Sequence, residues 1–180
     1  MTTALLTRWL RAMNPFVRPR AMAEAQRSAR AGVIGLGISL LAGIPSTVWM
    51  LTGDRFEALM ADQYAAMQLS SADIAIQQAM MQTIFPYMLV ASAVFTVALY
   101  GVLAFVQWRR MTRAIPIVLL GLMIYGVVAN IGMRLLGSFP GTDLPLWIQL
   151  ISWTAMAVTA IIYIAALQGA IMLHALKGQR

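Results

Sequence analysis

The chain of 180 residues contains no cysteine. Disulfides, thiolate metal sites and cysteine nucleophiles are therefore excluded. Charge is also scarce: 11% of residues are charged, where soluble domains carry about 25%. The acidic residues number only six, and there is one histidine. A lone histidine, His174, cannot build a bis-histidine haem site or a usual zinc site within one chain. No Gly-rich phosphate loop follows a strand pattern, and serine and histidine form no nucleophilic constellation. These absences predict a protein that is not an enzyme and that carries no cofactor and no catalytic or metal site.

Apolar side chains dominate instead, at 61% of the sequence, with a mean hydropathy of +0.77. The stretch that organises the rest is AGVIGLGISLLAGIPSTVWML, residues 31–51, which has no ionisable side chain. At 1.5 Å per residue it is long enough to cross a hydrocarbon core of roughly 30 Å. Along it small residues recur at every fourth position: Ala31, Gly35, Ser39, Gly43 and Thr47. On a helix this spacing predicts a ridge that lets another backbone approach closely, the small-xxx-small pattern of membrane helices.

The N-terminal arm, residues 1–30, precedes this span. In it Leu5, Leu6, Trp9, Leu10 and Met13 share one helical face, with Arg8 and Arg11 off that face. A basic amphipathic helix lying among lipid headgroups fits the pattern. Asn14-Pro15 ends it, and Pro19 suits the first position of a helix that runs unbroken from Arg20 into the first span. Pro45 predicts a bend near the far end of that helix. The apolar run is too long for a cleaved signal peptide and no A-x-A site closes it, so it reads as a retained anchor.

Residues 52–84 read as a helical extracytoplasmic loop. Asp54 with Glu57, and Ser70 with Asp73, are spaced as two helix starts of the capping-box type. Phe56, Leu59, Met60 and Met67 share a face of the first loop helix. The second continues from Ser71 into the next span, with Pro86 as a kink. Further apolar runs follow, so four transmembrane helices are predicted at about 31–51, 85–107, 114–136 and 145–173. A turn-rich connector at 137–144 separates the last two, with Asp143 as a cap and Pro145 just inside the helix start. The predicted organisation is an arm (1–30), an all-α transmembrane domain (31–173) and a short basic tail (174–180). The segment Asn14-Pro15-Phe16 with Arg18-Pro19-Arg20, ahead of a first span and a polar helical loop, resembles bacterial membrane proteins of the Yip type. That resemblance covers the N-terminal third. Those proteins usually show five spans where four are counted here, and no functional residue follows from it.

Thirteen basic residues face six acidic ones, for a net +7, and their placement matters more than the sum. The arm carries six Arg and one Glu, the cluster Arg109, Arg110 and Arg113 follows the second span, and Lys177 and Arg180 close the chain. The intervening loop holds Asp54, Glu57, Asp62 and Asp73 against Arg55, and Arg134 is balanced by Asp143. Every basic cluster thus falls on one side, which predicts both termini in the cytoplasm of a bacterial inner-membrane protein. Topology accounts for the basic residues, so no nucleic-acid partner is expected.

A few polar residues are candidate sites. Asn130 sits well inside the third span and Arg134 one turn further on, as polar interhelical or ligand contacts. Trp9, Trp108, Arg109 and Arg110 are candidates for lipid-headgroup contact. Fourteen methionines without cysteine and without a tight cluster read as adaptable packing rather than Cu(I) ligands. No Asp, Glu or Lys lies within a span, which weighs against a proton-relay transporter. The sequence therefore predicts an accessory or scaffolding subunit that acts through helix–helix contacts with other membrane-protein subunits or as a homo-oligomer, in the lipid bilayer. A small transporter or channel-forming subunit whose pathway forms in an oligomer is the competing reading. The orientation is directly measurable: reporter fusions after Met67 and Gly141 are expected to behave as external, and those after Arg113 and Arg180 as cytoplasmic. A cytoplasmic signal at Met67 would invert the assignment.

Overall fold

The computed structural model describes residues 2–52, 71–135 and 144–178. Six helices occupy them: α1 (Thr2–Ala12), α2 (Met22–Ala42), α3 (Ile44–Leu51), α4 (Ser71–Arg110), α5 (Ala114–Leu135) and α6 (Leu146–Gly178). Four runs are long and apolar enough to cross a membrane: Met22–Trp49, Ala72–Arg110, Ala114–Gly132 and Leu146–Gly178. The loop helix start at Asp54 and Glu57, with Phe56, Leu59, Met60 and Met67, lies outside the described residues, as does Asp143.

The amphipathic arm forms α1, which rests on the beginning of α2. Its orientation reverses that of a soluble helix. Ala12 is buried, whereas Leu5, Leu6 and Leu10 are 56–62% exposed. After α1, the Asn14 side-chain oxygen accepts the Phe16 amide at 2.9 Å, a local turn that competes with helix and fixes the change of direction.

Helix α2 begins at Met22, two residues later than the expected Arg20, and Pro19 is not its first residue. Extended backbone at Ala21 sets the boundary. The Glu24 carboxylate reaches back to accept the Arg20 amide at 3.0 Å, tying the segment before the helix onto its first turn. At its other end the run is interrupted at Gly43, whose backbone stays right-handed helical, just ahead of Pro45. Proline at position 45 has no N–H to give the Leu41 carbonyl, so a continuous helix would lose that bond. The chain instead restarts as α3, with Pro45 in the first turn where the missing N–H costs nothing. The Ser46 and Thr47 hydroxyls both donate to the Gly43 carbonyl, at 2.9 and 3.0 Å.

Helix α4 runs from the loop into the second span without interruption, through Pro86. At 1.5 Å per residue its 40 residues are about 60 Å long, twice the hydrocarbon thickness. It turns into α5 across only Met111, Thr112 and Arg113. Met111 adopts φ 48°, a left-handed conformation that costs a non-glycine residue about 1–2 kcal/mol, and its amide donates to the Gln107 carbonyl at 3.0 Å. Helix α6 starts where the Ile148 and Gln149 amides find the Pro145 carbonyl. It passes the expected end at Leu173, so most of the tail is helical.

Helix α2 is the centre of the bundle. It packs along α6 and touches α1 and the end of α4, while α5 packs on α6. Leu36, Ile115, Leu119 and Tyr163 form the core, bordered by Tyr100, Leu103 and Val106 of α4. Earlier on α4 the side chains turn outward. The exposed leucines of α1 make a spectroscopic prediction. With Trp9 as the only tryptophan, emission in vesicles is expected to shift to the blue and resist a soluble quencher. Water-like emission with full quenching would mean that α1 does not lie on lipid.

Candidate functional site

The residues most tightly held together lie on the antiparallel seam of α2 and α6. Ala25, Ser28, Ala29, Gly32, Gly35 and Leu36 are buried on α2; Ile162, Tyr163, Ala165, Ala166, Gly169 and Ala170 are buried on α6. A Cβ placed on Gly169 would lie 2.6 Å from the Ala29 nitrogen and 2.8 Å from the Ala25 carbonyl oxygen. Backbone therefore meets backbone there. A Cβ on Gly32 would lie 3.2 Å from that of Ala166, and one on Gly35 only 2.6 Å from the Tyr163 ring. As α2 advances through Ala29, Gly32 and Gly35, its partner on α6 recedes through Gly169, Ala166 and Tyr163.

This seam differs in register from the ridge that the four-residue spacing predicts. Ala31 and Gly35 are buried and Ser39 is half-buried, with its Oγ 3.1 Å from the Tyr163 hydroxyl. Gly43 and Thr47 are exposed and lie beyond the contact. Helix geometry explains the difference. Each step of four residues advances about 40° around an α-helix, so four steps carry the row about 160° from its origin. The close approach instead uses steps of three and four mixed, and so includes Gly32 and Gly169. A signal for Gly169 was present in the spacing Ala165-xxx-Gly169, beside Ala166-xxx-Ala170, on α6.

Polar side chains pin the basic end of the bundle. Gln107 is fully buried, and its Nε2 donates to the Ala29 carbonyl at 2.8 Å, tying α4 to the same turn of α2 that receives Gly169. In sequence it reads only as the polar end of a span. Next to it, the Arg30 guanidinium lies 5.0 Å from the Trp108 ring centroid. Its Nε is buried without a hydrogen-bond partner, and the face of the indole supplies the compensating attraction. Trp108 thus holds α2 to α4 while leaving 45% of its surface exposed. Arg109 stacks over Phe105 at 5.4 Å, and Arg110 is exposed. Trp9 is half-buried on α1, distant in sequence from that group. Asn130 is exposed on α5, and Arg134 belongs to the last turn of α5 with its side chain outside the described part. Among the described residues no cluster of three or more His, Asp or Glu side chains is arranged to hold a metal ion.

Stability in detergent should rank the glycines by what a methyl group would meet. Gly169→Ala is expected to cost about 1–3 kcal/mol, because overpacking there pushes on backbone. Gly35→Ala should cost less, since a tyrosine ring can move, and Gly43→Ala is expected to be close to neutral. Thermal melts of the three variants beside wild type measure this order. Equal melting temperatures for Gly169→Ala and Gly43→Ala would dissolve the seam.

Comparison with protein-family models, with curated proteins and with solved structures gives no match, so the likeness to Yip-type proteins gains no support there.

Proposed function

We propose that this protein is a multi-pass subunit of a bacterial inner membrane, with both termini cytoplasmic, that scaffolds or assists a membrane complex through helix–helix contacts. The four long apolar helices and the one-sided placement of basic residues support the setting. One observation carries the role. In the most apolar stretch of α4 no residue is buried within the chain. Val90, Val94 and Val97 are 56–63% exposed, and a Cβ on Gly101 would meet nothing within 4 Å. At intervals of four, three and four residues, these four positions share one face of the helix.

That face suits a protein helix as partner. Branched valines are already restricted at χ1 and lose little freedom on packing, while glycine allows close approach. The small-residue seam of α2 is spent on α6, and the outward side of α4 is among the surfaces left for another subunit or a second copy, beside the open face of α5 at Gly121 and Gly126. The absence of cysteine makes the test direct. Single cysteines at Val94, Val97 and Gly101 are introduced in membranes, with Ser92 and Leu99 on the opposite face as controls, and treated with a bifunctional maleimide. One defined protein adduct, formed from the first three positions and not from the controls, is expected. If a lipid-soluble monofunctional maleimide labels all five positions while no protein adduct forms, lipid alone covers α4 and the scaffold reading fails.

A further inference from the structure

The docking of α1 against the start of α2 leaves a half-open cleft of about 420 Å³, within the range of roughly 300–1,000 Å³ typical of small-molecule sites. Arg8 and Arg11 of α1, Pro19 of the connecting segment, and Glu24, Arg27 and Ser28 of α2 line it. Three guanidinium groups thus surround the space against one carboxylate. That carboxylate already gives an oxygen to the Arg20 amide at 3.0 Å. The first turn of α2 also borders the cavity, through Ala23. The positive end of the helix dipole there favours an anion. Guanidinium forks match the paired oxygens of a phosphate.

The surroundings distinguish which phosphate. The helix that supplies Arg8 and Arg11 turns Leu5, Leu6 and Leu10 outward, as a helix lying on a bilayer does. Pro19 also walls a second cavity, of about 320 Å³, where Ile171 and Met172 of α6 lie beside Arg18. A basic cleft suited to an acidic headgroup therefore adjoins a more apolar one at the basic end of the bundle. We propose that the cavity between α1 and α2 is a binding site for the phosphate of an anionic membrane lipid, held by Arg8, Arg11 and Arg27. The assignment goes beyond general attraction at Trp108, Arg109 and Arg110, because it names a concave site on which three arginines converge. It rests on the membrane setting proposed above, but not on any protein partner.

The test uses the full chain purified in a neutral maltoside. Dihexanoyl-phosphatidylglycerol, dihexanoyl-phosphatidylcholine and inorganic phosphate are titrated separately, with binding followed by native mass spectrometry and by melting temperature. Saturable binding of the phosphatidylglycerol is expected, at least tenfold tighter than of the other two. Arg11→Gln and Arg27→Gln are each expected to weaken it about tenfold, the loss of one charge-assisted hydrogen bond. Arg11→Lys should recover part of the loss, and Arg113→Gln, in the α4–α5 turn, should have no effect. Equal affinity for phosphatidylcholine, or unchanged affinity in both glutamine variants, would overturn the site. Inorganic phosphate binding as tightly as the lipid would overturn the lipid as occupant. Should a glutamine variant fail to fold, the three titrations on wild type still decide. Recovery of the chain in the soluble fraction without detergent would refute the membrane setting instead, before any lipid is added.

Discussion

The approach of α6 to the α2 backbone at Gly169 is the constraint on which the other contacts depend. A side chain of any size there would separate the helices, because what lies opposite is main chain rather than a movable group. At this separation Ala166 reaches Gly32, the Tyr163 ring covers Gly35, and the Tyr163 hydroxyl meets Ser39. Lipid tails are as apolar as leucine, so burial alone gives helices little reason to associate within a bilayer. Close packing and a few hydrogen bonds must supply the preference. The small residues of the seam provide the first of these over several turns.

The hydrogen bonds are economical and local to the seam. Gln107 donates to a carbonyl on the turn of α2 already pressed by Gly169, so α4 and α6 are registered to the same segment. Thr159 is buried, yet its hydroxyl returns to the Ala155 and Met156 carbonyls of its own helix and leaves no donor unmet. Arg30 is treated differently. Its charge is placed over Trp108 near the basic end, where the aromatic face offsets part of the lost hydration. Polar atoms in this molecule therefore hold helix ends and registers, while the middle of the bundle is packed by shape.

The helices were legible in the sequence because length and apolar content act over some twenty residues and tolerate local error. The α4 continuation from Ser71 into the second span, and the amphipathic α1, follow from such patterns. Contacts were legible only in part. A four-residue repeat drifts around the helix, so it marks Gly35 and Ser39 but also carries Gly43 and Thr47 off the seam. Gly169 carries a small-residue spacing on α6, but its meeting with Ala25 and Ala29, like that of Gly32 with Ala166, joins two helices far apart in sequence, which no repeat within one helix contains. Gln107 looks like an ordinary polar span end until the Ala29 carbonyl is beside it. Capping likewise depended on reach: Glu24 serves Arg20 from within the helix, and the start moves to Met22.

Helix α4 is joined to the core near Tyr100, Leu103, Val106 and Gln107, close to one end of a rod of 40 residues. Mechanically it is a cantilever. A small rotation at the Gln107–Ala29 contact is multiplied along the rod into a much larger sweep of its distant end. The tight turn at Met111 couples the same rotation to the first residues of α5, where Ile115 and Leu119 enter the core. A change in the tilt of α4 and a change of packing at Ile115 and Leu119 are thereby two ends of one lever, with its fulcrum on α2.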